Sequence, residues 1–511
     1  MRRLLIGLVS VAAALPIACS SDSDGGGGAG GSSGSAGSGG VSGSAGSGGV
    51  GGSGGVQPTL EAELYDRQPM VVDVSAALPD GIAASLELAA DLGVKIATLP
   101  EDDPDSRRFR LRGLAPDTEY QAELVVADQR FPVSFRTRPP LKGFKAKFPV
   151  TVAGTPAQDY RIFDYASAPE VDNAGIYALD AAGTPRWYFA IPEAAVIDDL
   201  AAGVKLLPDG NILFTQGERV RVVDELGDTV VEVTAKQLGV PLLHHDVIPL
   251  PGGKFMAISL ELRDVYYPAD SATHYVAGDF LVEFNEAGVI SWSWSALDHL
   301  DPQRKREGFD NPYYPYFSPS GSQAKDWTHS NGVVYLPGDD SLLLSMRHQD
   351  WVVKIDHKTG NVIWKLGDEG DFSLTSGSWF FHQHSPEVQA DGTILLYDNG
   401  VSEPGLNPSL WRTRPMRLAL DTSAMTASVV WEETNESYLA MIAGDVDRMS
   451  NGHLLVLDTA ISASLDAPFP SYPRIREVDP ATNAWVWTFD GPDGDFIYRC
   501  TPSRRLPGEA E

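Results

Sequence analysis

From residue 57 onward the chain is written as short apolar runs set between turns, the pattern of strands rather than of long helices. Up to residue 140 the runs fall at 70–74, 84–88, 109–111, 120–126 and 133–135. They predict a small all-β domain, closed by the Arg-Thr-Arg-Pro-Pro stretch at 136–140. Beyond it the pattern becomes periodic. An apolar strand ends in Asp or Asn, a short turn follows, and the next strand often carries Trp. This unit occurs at 176–180 with Trp187, at 220–224, at 281–285 with Trp292, at 352–356 with Trp364, at 417–421 with Trp431 and at 474–479 with Trp487.

A second hairpin, with Pro, Asp, Asn or Gly at its turn, precedes most copies, at 206–214, 248–255, 335–339, 388–396 and 447–455. Two hairpins of short strands per repeat make one four-stranded blade. Six repeats therefore predict a six-bladed β-propeller over residues 141–500, with 501–511 as a C-terminal tail; seven blades are the alternative. The repeats average roughly 60 residues against ~40–50 for compact blades. The surplus is assigned to loops at 263–278 and 297–323. In the smaller domain, residues 111–120 resemble the E–F corner of a fibronectin type III sandwich, with Tyr120 as the corner tyrosine. The predicted fold class is all-β, a six-bladed propeller preceded by a small fibronectin III-like sandwich at 57–140.

The residues before 57 add a address rather than a fold. Met1, Arg2 and Arg3 open an apolar run, 4–15, that is too short to span a bilayer and reads as a signal peptide. Cys19 follows a small residue at its end, the arrangement of a bacterial lipoprotein in which this cysteine is lipidated; cleavage after Ser20 is the alternative. Residues 20–56 form a tether rich in Gly and Ser, holding 18 of the 51 glycines between Gly25 and Gly55. Such a coil spans roughly 30 Å. The expectation is an exported protein, anchored to the outer membrane through Cys19 and facing the periplasm or the cell surface. The charge balance of 39 Lys+Arg against 69 Asp+Glu, −30 net, argues against a nucleic-acid partner. With two cysteines in all, lipidation of Cys19 leaves Cys500 alone. A homo-oligomer is compatible with the sequence.

Six of the ten histidines fall into short clusters beside predicted strand ends: His244-His245-Asp246, Asp326-Trp327-Thr328-His329-Ser330-Asn331, and Arg347-His348 with His382-Gln383-His384. Blades are arranged around an axis, so equivalent strand ends converge on a central channel. A single such histidine is ordinarily a satisfied polar residue. Repeat-equivalent clusters in successive blades point to a shared site.

These motifs, with Trp364-Lys365-Leu366-Gly367 and Tyr397-Asp398-Asn399-Gly400, resemble the bacterial arylsulfate sulfotransferase family. The resemblance implies a six-bladed propeller with an N-terminal sandwich. It also implies transfer of a sulfuryl group from a phenolic sulfate ester to a phenolic acceptor, without a nucleotide or other cofactor, through a sulfated histidine. Carried over by motif, His384 is the nucleophile, with His245, His329 and Arg347 around it and His244, Asn331 and Asp326 in support. His382 departs from the usual flanking residue. On an extended strand its i,i+2 spacing puts it on the face of His384, which makes it the alternative nucleophile.

The residue types suit that chemistry. A transferring sulfuryl group carries charge on three oxygens, so the protein's task is to position groups and balance charge. Neutral imidazole is a competent nucleophile, Arg347 offers a planar fork of donors, and a second histidine can move the phenol's proton. Two other classes remain open at this point. One is a metal-dependent hydrolase, since clustered imidazoles can bind a metal; against it, His244 and His245 are strand neighbours expected to face opposite ways. The other is a non-catalytic, tethered propeller that holds an aromatic ligand. Tyr266, Tyr267, Tyr313, Tyr314, Tyr316 and Phe317 either line an aromatic pocket or serve as packing.

Overall fold

The computed structural model describes residues 57–511, apart from 91–92, 101–102, 168–173, 192–199, 311–313 and 463–470. Residues 1–56, with the expected signal, Cys19 and the tether, lie outside the described residues, as does Tyr313. The chain divides after Pro140 into two compact units. Strands dominate both, and no helix among the described residues is long and apolar enough to cross a membrane.

Seven strands make two sheets in the first unit. One runs Thr59–Leu64, Val71–Ala77, Ser106–Arg112, Lys95–Thr98; the other runs Ala84–Leu88, Glu119–Val126, Gln129–Arg136. Alternation decides which faces meet: Tyr120, Ala122, Leu124 and Val126 are buried while Glu119 and Gln121 are exposed, and a single apolar cluster joins both sheets. The Tyr120 hydroxyl accepts a hydrogen bond from the Ala115 main-chain N–H at 2.7 Å, tying the start of its strand to the turn before it.

Six sheets of four or five strands fill the described part of the second unit, antiparallel except for one parallel pair in the third and one in the fifth, and none of them closes on itself. One strand from each, Tyr160–Ser167, Ala201–Leu206, His244–Leu250, Ser330–Leu336, His384–Val388 and Asp445–Arg448, opens the run of antiparallel hairpins that makes up most of its sheet and is called its first strand below. From the second sheet on, these strands lie side by side in order, and Asp445–Arg448 lies against Cys500–Ser503. Cys500–Ser503 is hydrogen-bonded to Tyr160–Ser167 of the first sheet, while Val150–Val152 pairs with Ala484–Asp490 of the last.

The repeat seen in the sequence now has a physical cause. Each of the six Asp or Asn residues that end a repeat strand folds its carboxylate or amide oxygen back onto main-chain N–H groups of the turn. Asp180 accepts from Ala182 and Thr184, Asp224 from Leu226 and Asp228, and Asn285 from Ala287 and Val289. Asp356 accepts from Thr359, Asp421 from Ser423 and Ala424, and Asp479 from Ala481. The tryptophans reach across to the next turn. The indole N–H of Trp187 donates to the Glu225 carbonyl at 2.9 Å, that of Trp294 to Gly360 at 2.9 Å, and that of Trp487 to Ala181 at 2.8 Å. The last bond joins the sixth sheet to the first. Trp292 pairs with Glu283 in the register that Trp187, Trp364 and Trp487 keep, while in that sheet the indole bond is made by Trp294, two residues further on.

Two expectations need correction. Residues 263–278 are not a loop: the strands Lys254–Tyr267 and Ala272–Asn285 pair along their whole length, turning only at residues 268–271. Residues 501–511 are not a loose tail, because Cys500–Ser503 is a paired strand, Leu506 is buried, and the Gly508 N–H donates to the Gly210 carbonyl at 2.8 Å. Main-chain pairing holds both segments, and buried side chains back it: Tyr267 and Val276 in the first, Leu506 in the second.

Candidate functional site

The first strands open irregularly. In the second to fifth sheets the pairing slips near the start of that strand, between Ala202 and Lys205, His244 and Val247, Ser330 and Gly332, and His384 and Glu387. A bulge of this kind re-aims side chains. Three of the four slips hold a left-handed residue, Gly203 at φ +62°, His245 at +62° and Ser385 at +50°. A Cβ at Gly203 would come 2.7 Å from the Asp246 carboxylate. His329 at φ +49° and His382 at +57° are also left-handed. Non-glycine residues held this way carry strain that the surrounding packing must sustain.

That backbone draws the imidazoles together. The rings of His244 and His245 meet edge to face at 4.8 Å, His245 and His329 at 4.9 Å, and His348 and His382 lie 5.8 Å apart. His244 and His245 thus do not face opposite ways as strand neighbours should. Their Nδ1 atoms are 2.5 Å apart because His245 leaves the strand conformation. His382 likewise sits in a bend before the strand that His384 begins, so the i,i+2 argument for a common strand face does not hold. Its main-chain N–H donates to Asp350 at 2.8 Å, and its Nδ1 lies 3.4 Å from the same carboxylate.

His384 is buried, with Nδ1 bonded to the Asn399 side-chain oxygen at 2.7 Å. Burial drives its pKa well below the ordinary histidine value, and the charges of Arg347 and Arg499 push the same way. His245 is lowered by burial and then by His244, His329 and His384; His329 is lowered by burial and then by Arg347. These rings are free bases at neutral pH. Arg347 lies in a short 3-10 turn, Arg347–Gln349, and one of its guanidinium nitrogens donates to the Met441 carbonyl at 3.3 Å. Asn331 donates its amide to the Gln383 carbonyl at 2.8 Å, which ties the fourth sheet to the residue before His384.

Like Asp279 beside His244 and Asp350 beside His382, Asp326 is a buried acid beside His329. One carboxylate oxygen lies 2.6 Å from His329 Nδ1, and its main-chain carbonyl accepts from His348 Nδ1 at 3.0 Å. Burial raises its pKa to about 7, against the opposing pull of His348. Burial likewise lowers His348 to about 3, despite the Asp326 charge. The Asp326–His329 pair therefore shares one proton up to neutral pH. Asp326, His329 and His348 also bring ligand-type atoms within 4.8 Å of one another. The arrangement is a poor chelate. The two rings stack at 4.6 Å with planes only 30° apart, whereas a metal must lie near the plane of each imidazole it binds, and both Nδ1 atoms are already engaged.

Residues 149–499 match the family described as Arylsulfotransferase (ASST). The chain belongs to the arylsulfotransferase family. Two relatives are named arylsulfate sulfotransferase AssT. That of Escherichia coli O6:H1 is 22% identical over 342 residues, covering 55% of each chain. That of Lelliottia amnigena is 20% identical over 287 residues, covering 46% of this chain and 47% of the relative. This chain thus spans about half the length of the curated relatives it matches. Among solved structures, dihydro-heme d1 dehydrogenase NirN overlaps 67% of this chain and 76% of its own, at 10% identity and a TM-score of 0.29, too loose a superposition to assign a fold.

In this arylsulfotransferase-family chain the sequence motifs missed several contributors. Arg499 stands just before the closing strand, donates to Asp445 at 3.2 Å and is wedged against the Asn331 carbonyl. Tyr498 places its ring 5.8 Å from that of His245. Neither lies in a repeat or beside a histidine; both stand just before the strand that completes the first sheet. Of the aromatic candidates among the described residues, Tyr314 reaches these imidazoles, 5.6 Å from His244 and 5.8 Å from His329. Tyr267 packs on His274 and Phe309, while Tyr266 and Phe317 are exposed.

Proposed function

We propose that the second unit is a six-bladed β-propeller whose central channel transfers a sulfuryl group from a phenolic sulfate ester to a phenolic acceptor through a sulfohistidine at His384. The first unit is read as a fibronectin III-like sandwich, supported by its strand order and by the Tyr120–Ala115 bond. The reading rests chiefly on one observation: His384, a buried free base, stands in the fields of Arg347 and Arg499 and beside the proton-sharing Asp326–His329 pair.

In the donor half-reaction the His384 ring nitrogen attacks sulfur, the bond from sulfur to the aryl oxygen breaks, and its electron pair leaves on that oxygen. Arg347 and Arg499 balance charge on the sulfuryl oxygens, and the Asp326–His329 pair protonates the departing phenolate. The acceptor half-reaction reverses the roles: His329 takes the phenol's proton as the acceptor oxygen attacks sulfur. Membership of the family and the names of its relatives support this chemistry. The choice of His384 over His382 is supported by His382 lying against Asp350, which its own hydrogen bond holds below the usual carboxylate range against the effect of burial.

Steady-state kinetics with an aryl sulfate and a phenol, without nucleotide or metal, will be ping-pong. Donor alone will add one sulfuryl mass to the peptide containing His382 and His384, and His384→Asn will abolish both half-reactions in a folded protein. Phenol release without a labelled histidine would make the site a hydrolase. No release from any donor would favour a ligand-binding propeller.

A further inference from the structure

We propose that Asn399 is a positioning residue that fixes His384 as its Nδ1–H tautomer, leaving Nε2 as the nitrogen that accepts the sulfuryl group. The inference rests on His384 being the nucleophile and names the device that makes it one.

Asn399 is completely buried, immediately beyond the strand Ile394–Asp398, in which Tyr397 pairs with His384. Its amide nitrogen donates both protons, to the carbonyls of Ala440 and Ala443, each at 2.9 Å. That settles which way the amide is turned, because an NH2 group only donates and a carbonyl only accepts. The oxygen must therefore face His384, and an oxygen can only accept. At 2.7 Å from it, Nδ1 must carry the ring's proton, so the lone pair belongs to Nε2. The brace is itself braced. The Thr413 hydroxyl donates to the Asn399 carbonyl at 3.0 Å and accepts from the Ala440 N–H at 2.7 Å, closing a loop of bonds through the fifth sheet.

An amide has a second consequence here that a carboxylate would not. When Nε2 forms its bond to sulfur and the aryl oxygen leaves with the electron pair, Nδ1 keeps its proton and the ring becomes cationic beside the anionic sulfo group. A neutral amide accepts that N–H without removing the proton or adding a counter-charge. The N-sulfo ring stays a good leaving group, and in the second transfer the electron pair returns to Nε2 as the acceptor oxygen binds sulfur. A carboxylate would stabilise the cation and slow that departure.

The test begins with the unmodified protein. 15N spectra of the resting enzyme should show His384 Nδ1 protonated and Nε2 bare. After incubation with 4-nitrophenyl sulfate and an alkaline quench, the sulfo group should lie on Nε2 when compared with both N-sulfo isomers. Asn399→Asp should lengthen the life of the sulfo-enzyme by about tenfold, the equivalent of one pKa unit. Asn399→Ala should lose the preference for one nitrogen, so that its folded fraction carries label on both. The opposite resting tautomer, or label on Nδ1 in the wild type, would overturn the inference while leaving His384 as nucleophile. A purely structural Asn399 would lower the yield of folded variant but leave the labelled nitrogen and the lifetime unchanged. If the wild type transfers sulfate with no label on His384, the nucleophile reading fails instead, and the resting spectrum still decides the tautomer.

Discussion

His384, His245 and His329 are free bases because they are buried among cations and one another, and this sets where the activity should meet acid. A base whose pKa is lowered keeps its lone pair to lower pH. The acid limb for a donor with a good leaving group should therefore fall below about 6.5, the ordinary histidine value; a limb at or above it in a kcat/KM profile would contradict the assignment. Asp326 works in the other direction. Its carboxyl, raised to about 7, supplies the proton of the His329 pair only below that pH. Donors with poor leaving groups should lose rate as pH rises through about 7, while 4-nitrophenyl sulfate should not, a contrast read from parallel pH profiles. Arg347→Lys keeps the charge and loses the fork, which should lower the rate by roughly 10²–10³ if it resembles a lost oxyanion donor.

At the scale of elements, the sequence was most legible where one side chain builds one local structure. The Asx turns at Asp180, Asp224, Asn285, Asp356, Asp421 and Asp479 announced six sheets because each is a local bond between a side chain and the next few N–H groups. Tyr120 was legible for the same reason. Tyr120→Phe removes the acceptor of the exposed Ala115 N–H and should cost about 0.5–1.5 kcal/mol, measurable as a lowered transition in calorimetry of the full chain. The site was legible as a set of residues but not as a shape. Periodicity assumes regular strands, whereas His245, His329 and His382 leave the strand conformation, so alternation misplaced His244 against His245 and His382 against His384. Asn399, Arg499 and Tyr498 were missed as site residues because their partners lie far along the chain, as with Arg499 and Asn331.

At the scale of the whole molecule, two predictions concern how the parts are held. On the proposal that Cys19 is lipidated, Cys19→Ser should move the exported protein from the membrane to the soluble fraction; wild type already soluble after export would end that idea. Removing residues 500–511 should unfold far more than a tail, because Cys500–Ser503 pairs with Tyr160–Ser167 of the first sheet. Circular dichroism should show a marked loss of strand signal and of thermal cooperativity, against an unchanged spectrum if these residues are dispensable.

That late strand also orders events in time. The first sheet of the second unit begins near Tyr160, yet Phe163 waits for Cys500 before its ladder is complete. Such distant pairing carries a large loop-closure cost and belongs to the slow class of folding steps. A ribosome must reach residue 503 before that partner exists. Until then Tyr160–Ser167 has an open flank where neighbouring nascent chains could add themselves, and the same pairing brings in Arg499, whose charge acts on His384. Completion of the first sheet and placement of Arg499 would thus be one event, and a chain stalled before residue 499 would both expose a strand edge and lack that cation.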